Sequence, residues 1–150
     1  MPPPLQDTWV VGCPIPPCAV YPALSALNPD KDVAAFHSSP TGMYAPGCGM
    51  MSVAYAFGHD EYAYLWALHN KVALPPEGLA ILRLHSCYPW HTGKAYRELM
   101  APGDEALEAA VNDFNQFDLY TKASAIPVLE ECWPFYQAII DKLCPRDLDW

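Results

Sequence analysis

A chain of 150 residues suits one domain with room for a real core, and 52% hydrophobic against 17% charged residues excludes a disordered chain. The net charge of -9, with only eight Lys and Arg spread along the sequence, excludes a clustered basic surface for nucleic acid.

The 17 prolines concentrate before Gly47. Pro14, Pro16, Pro17, Pro22, Pro29, Pro40 and Pro46 recur too often for a helix of useful length, because each removes an amide donor and clashes with the preceding turn. Residues 1–47 are therefore expected to be irregular, with Val10, Val11, Val20 and Tyr21 making one short extended stretch or two. Over residues 48–150 the pattern turns helical, and the expected fold class is all-α. Met50 to Asn70 is apolar on nearly every side, which predicts a buried helix or a bent pair joined at Gly58. Pro75 and Pro76 open the next helix, where a missing amide hydrogen does no harm. That helix runs through Leu79, Ile81, Leu82 and Leu84 to His85 and ends before Pro89. Asp104 and Glu105 suit the first turn of a helix reaching about Thr121. A last amphipathic segment spans Val128 to Leu143, kinked at Pro134 and stopped by Pro145.

Met1 to Asp7 has no basic start followed by an apolar run, so no secretory signal is expected. Cys48, Cys87, Cys132 and Cys144 fall in or beside helical patterns, and Cys13 and Cys18 lack the spacing of a zinc site. Reduced thiols in a cytoplasmic protein are the expectation. His59, Asp60 and Glu61 interrupt the longest apolar run, so no membrane span is expected.

The chemistry-bearing candidates are His59, His85 and Asp118. Leu107, Val111 and Phe114 mark an apolar stripe, and Asp118 takes its next place, where a leucine would fit. A carboxylate there needs a metal, several donors or a cation, with Lys122 and Arg97 the cationic alternatives. His85 follows Gly78, Ile81 and Leu82 on one helix face and reads as a ligand or as a hydrogen-bonded core histidine. His59 shares its expected face with Ser52, Tyr55, Ala56, Tyr62 and Trp66, while the adjacent Asp60 points elsewhere. Two imidazoles and one carboxylate suit non-haem iron with open positions. His37, His69 and His91 read as surface or supporting groups, and Asp104-Glu105 and Glu130-Glu131 as solvated helix faces.

Taken together, DTWVVGC at Asp7, TGMYAPGCG at Thr41, GHDEY at Gly58, LHSCYPWHTG at Leu84, FNQFDLYTK at Phe114 and IIDKLCP near the end resemble the myo-inositol oxygenase family. The resemblance runs from about Asp7 to Trp150 and corresponds to roughly the C-terminal half of a family member. It implies a partial HD-domain-like helical bundle and a two-iron enzyme that converts myo-inositol and dioxygen to D-glucuronate. By resemblance His59 and His85 bind one iron and Asp118 the other. Asp7, His85 and Ser86 contact inositol, and Lys122 lies near the site. Gln6 stands where the family has a glycine. The other family ligands, a histidine and an adjacent His-Asp pair, would fall on earlier helices. The chain by itself is therefore expected to be inactive. The alternatives are a non-catalytic interaction or regulatory remnant, and a mononuclear iron site built from His59, His85 and Asp118.

Overall fold

Proline punctuation breaks the start of the chain into single turns. The computed structural model describes residues 8–19, 21–118 and 127–150. Within the proline-rich stretch lie two 3-10 turns, Pro22–Leu27 and Pro29–Asp32, and one turn of α-helix, α1 (Ala34–His37). Asn28 caps the second turn by accepting from the Asp30 amide at 3.0 Å. The return of this stretch needs Gly42, whose φ is +58° and whose added Cβ would meet the Gly12 carbonyl oxygen at 1.9 Å.

Of the helix or bent pair expected over Met50 to Asn70, only the part after Gly58 forms a helix. A 3-10 turn, Met50–Ser52, gives way to extended backbone, and Tyr55 pairs with Val10 in an isolated antiparallel bridge. The Val11 amide donates to Ala54 O at 2.9 Å and the Ala56 amide to Trp9 O at 3.0 Å. Two forces outweigh the apolar periodicity here. Val53 and Tyr55 are strand-favouring residues that bury against Val10. The carbonyls of Met51 and Val53, which a helix would use internally, instead accept from Arg83 at 2.6 and 3.1 Å. His59 consequently does not share a helix face with Ser52 and Tyr55. It is the first residue of α2 (His59–His69), preceded by Gly58.

The remaining helices follow their punctuation. They are α3 (Pro76–Leu84), α4 (Tyr88–His91), α5 (Asp104–Asp118) and α6 (Leu129–Leu143), with Pro76 in the first turn of α3 and Pro134 inside α6. The fold is all-α, as the sequence predicts, and α3 packs between α2 and α5. Ala80 and Leu84 of α3 are fully buried with Met50, Cys87, Trp90, Leu99 and Val111. Their burial is the main driving force of the domain. Asp104 is not a solvated face. It is buried, and its Oδ2 accepts from the amides of Met50 and Ala101 at 2.8 Å each, fixing the start of α5 to the Met50 turn.

α6 contributes no buried residue. The C-terminal tail returns to α2, where Asn70 donates to Asp149 O at 2.9 Å and accepts from the Asp149 amide at 2.7 Å. The Trp66 and Trp150 rings stack beside this link with centroids 5.3 Å apart. All six cysteines are free thiols. Among the described residues no helix is long and apolar enough to cross a membrane.

Candidate metal centre

α2 and α3 run back to back, so the first residue of α2 meets the end of α3. This brings His59 Nε2 within 3.1 Å of His85 Nε2, with the ring centroids 5.1 Å apart and the planes at 72°. His59 is exposed and His85 half-buried. Among the described residues the pair thus lies at the rim of the domain.

The hydrogen-bond partners fix the tautomer of a neutral His85. Its Nδ1 lies 2.9 Å from Ile81 O and 3.2 Å from Leu82 O, and carbonyls only accept, so Nδ1 carries a proton. In the neutral ring Nε2 then holds a free lone pair directed at His59. An Nδ1–H anchored on a backbone carbonyl is the usual outer-shell arrangement of a metal-ligating histidine. The spacing suits the same role. Two nitrogens bound cis at 90° with bonds of about 2.1 Å lie about 3.0 Å apart, against about 3.4 Å for a tetrahedral pair. Imidazole nitrogens suit iron, zinc, copper and nickel, so the two residues fit a transition-metal ion.

The backbone of His85 is held as firmly as its ring. His91 Nε2 donates to the His85 carbonyl at 3.1 Å and Asn115 Nδ2 donates to it at 3.0 Å. His91 is no surface group: it is 1% exposed, and burial lowers its imidazole pKa below the ordinary value, favouring the neutral form. Phe114 of α5 sets its ring edge-on to His85 with centroids 5.9 Å apart. Asp118 comes one turn after Phe114 at the end of α5 and is half-buried. Arg97, one of its alternative partners, is committed elsewhere, to Glu108.

Among the described residues no three His, Cys, Asp or Glu side chains are close enough to hold one ion together. The mononuclear set of His59, His85 and Asp118 is therefore not assembled, and the convergent pair is His59 with His85. Ser86 is buried beside His85. Asp7 and Lys122 lie outside the described residues.

Sequence reasoning missed the groups that hold this arrangement. Arg83 and Glu61 form a buried, two-pronged ion pair, with Nε to Oε2 at 2.6 Å and Nη2 to Oε1 at 2.9 Å. Asp60 is fully buried and accepts from the Thr8 hydroxyl and the Glu61 amide. The available signal was positional: Glu61 stands two residues after His59, and Arg83 two before His85.

An all-α domain that presents two imidazoles side by side at facing helix ends defines the class, a helical protein with a histidine pair of metal-binding geometry. Comparison with known proteins narrows it. The family model for myo-inositol oxygenase matches residues 4–150. The inositol oxygenases of Homo sapiens and Sus scrofa are 43% and 44% identical over 145 residues, covering 96% of this chain and 50% and 51% of theirs. That of Dictyostelium discoideum is 38% identical over 144 residues, with 96% and 49% covered. The chain belongs to the myo-inositol oxygenase family, and it spans about half the length of the curated relatives it matches.

Proposed function

We propose that this chain carries the C-terminal part of an iron-dependent inositol oxygenase centre, in which His59 and His85 hold one iron ion. The observation that supports it is the 3.1 Å approach of their Nε2 atoms, with His85 Nδ1 tied to the Ile81 carbonyl. The activity proposed for the complete centre is conversion of myo-inositol and dioxygen to D-glucuronate, after the relatives' name. Bound iron would supply Lewis-acid polarisation of a substrate hydroxyl and electron transfer to dioxygen.

The chain's own residues do the binding and orienting. His85 presents its lone pair through Nε2 because the carbonyl at Nδ1 fixes the tautomer. His91 and Asn115 fix the peptide that carries it. Ser86, buried next to that peptide, is proposed to contact an inositol hydroxyl together with His85 and Asp7. Asp118 is proposed as ligand to a second iron and Lys122 as a neighbour of the substrate. The HD-like bundle, with residues 48–150 as its helical part, and a cytoplasmic setting belong to the same reading.

Anaerobic titration of the chain with ferrous ion tests it. One equivalent should bind to the native sequence, and His59→Ala and His85→Ala should each weaken binding at least tenfold. Equal binding by all three proteins would refute the site. With only two ligands converging among the described residues, the isolated chain should release negligible glucuronate from inositol. Turnover near that of a full-length relative would refute the partial-centre reading.

A second reading is favoured by one observation. α6 buries nothing and exposes Leu129, Trp133, Phe135, Tyr136, Ile139 and Ile140. A surface of that kind serves association. A monomer at high concentration, seen by light scattering, would count against it.

A further inference from the structure

We infer that Glu61 and Arg83 are a positioning pair that sets the separation of the His59 and His85 imidazoles, a role that rests on the metal-site reading above. The pair spans α2 and α3 within two residues of each histidine. Its side chains are only 11% and 8% exposed, and the contact is a two-pronged fork. The rest of the guanidinium is also fixed. Nη1 donates to Met51 O at 2.6 Å and Nη2 to Val53 O at 3.1 Å. The Tyr55 and Tyr64 rings lie 4.9 and 4.6 Å from its carbon. All three guanidinium nitrogens of Arg83 are therefore engaged.

That engagement has a use in the site. Apolar contact between α2 and α3 is non-directional and tolerates sliding. A slip of one residue moves a helix by about 1.5 Å along its axis. Ligand distances at a metal tolerate only about 0.2 Å. A planar fork needs both carboxylate oxygens in line, so it rejects such a slip where packing does not. A buried ion pair adds little net stability over an apolar pair of similar volume. What the fork supplies beyond packing is register, delivered beside the two imidazoles.

The experiment separates register from stability by using cobaltous ion as probe, read by visible absorption and by the shifted ring-proton resonances of the two histidines. The double variant Arg83→Met with Glu61→Leu removes both charges and restores apolar packing. It should fold, as judged by circular dichroism, yet bind cobalt at least tenfold more weakly and with an altered spectrum. Arg83→Lys keeps the charge but loses the fork, and should weaken binding at least fivefold. Asn70→Ala, a destabilised control at the opposite end of α2 from His59, should bind within twofold of the native chain. Native affinity and spectrum in the folded double variant would overturn the inference. Should that variant not fold, native affinity in Arg83→Lys would overturn it. Failure of the metal-site reading looks different: the native chain does not bind cobalt, or His85→Ala binds it equally, and the positioning role then falls with it.

Discussion

Acidification should cost this fold a calculable part of its stability through one carboxylate, Glu108. Its Oε1 accepts from Lys94 Nζ at 2.8 Å and its Oε2 from Arg97 Nη1 at 2.7 Å, with Arg97 Nη2 also on Oε1. Arg97 in turn donates to Trp90 O at 3.1 Å, so the cluster fastens α5 to the segment that carries His91. The Arg97 guanidinium beside it, outweighing desolvation and aided by Lys94, lowers the Glu108 pKa from 4.5 to about 2. At about 1.4 kcal/mol per tenfold change in proton affinity, the ceiling is about 3.4 kcal/mol. Lys94 is 60% exposed and Arg97 35%, so solvent screening reduces the contribution to about 2 kcal/mol. A depressed folded-state pKa stabilises above the unfolded value. The contribution is thus complete above pH 4.5, shrinks below it, and is gone once the pH passes below about 2. Urea unfolding of the native chain and Glu108→Gln between pH 7 and pH 2 measures it directly. The stability gap between the two proteins should be constant down to about pH 5 and close steadily below. A gap that stays constant to pH 2 would refute the assignment.

Other substitutions probe the frame around the histidines. Leu84→Ala, at a fully buried position of α3, should lower unfolding free energy by about 2–5 kcal/mol in the same urea assay. Gly42→Ala places a Cβ 1.9 Å from the Gly12 carbonyl oxygen in a backbone with φ of +58°, so it should lower the melting temperature or abolish soluble expression. Asn70→Ala removes both hydrogen bonds to Asp149 and should free the tail. Faster carboxypeptidase release of Trp150 would register it, and an unchanged rate would show that Trp66 stacking suffices.

The legible parts of the fold were those marked by punctuation. Pro76, Asp104 and Pro145 bracket helices whose starts and stops depend on local chemistry, and α3, α5 and α6 lie where those residues put them. Met50 to Gly58 was illegible because its backbone is satisfied from far away, by Arg83, Trp9, Val11 and Asp104. Apolar periodicity cannot see a carbonyl bonded across 32 residues. The same limit applied at the site. His59 and His85 stood out as polar residues among apolar ones, but nothing in the linear pattern pairs Glu61 with Arg83, 22 residues apart, until the helices are folded back. Asp104 was misread because an acidic residue at a helix start is usually solvated, whereas here it satisfies buried backbone amides; His91 takes the supporting one of its two expected roles, on the His85 carbonyl.

The placement of the pair at helix ends has an electrostatic consequence. The C-terminus of α3 carries a field that favours a cation, while the N-terminus of α2 carries the opposite one. A cation at the proposed site between His59 and His85 meets both fields, which oppose one another. Asp60 and Glu61 in the first turn of α2 offset its positive end, although Glu61 is itself neutralised by Arg83. The fields of the helices therefore oppose one another, and in the proposed site affinity should follow the two nitrogen lone pairs and their spacing. Replacing either imidazole by alanine should thus remove most binding. Replacing Asp60 by asparagine, which keeps one of the two oxygen acceptors used by Thr8 and the Glu61 amide, should change affinity by less than the loss of either histidine. A larger loss from the asparagine variant would mean that charge, rather than ligand geometry, governs the site.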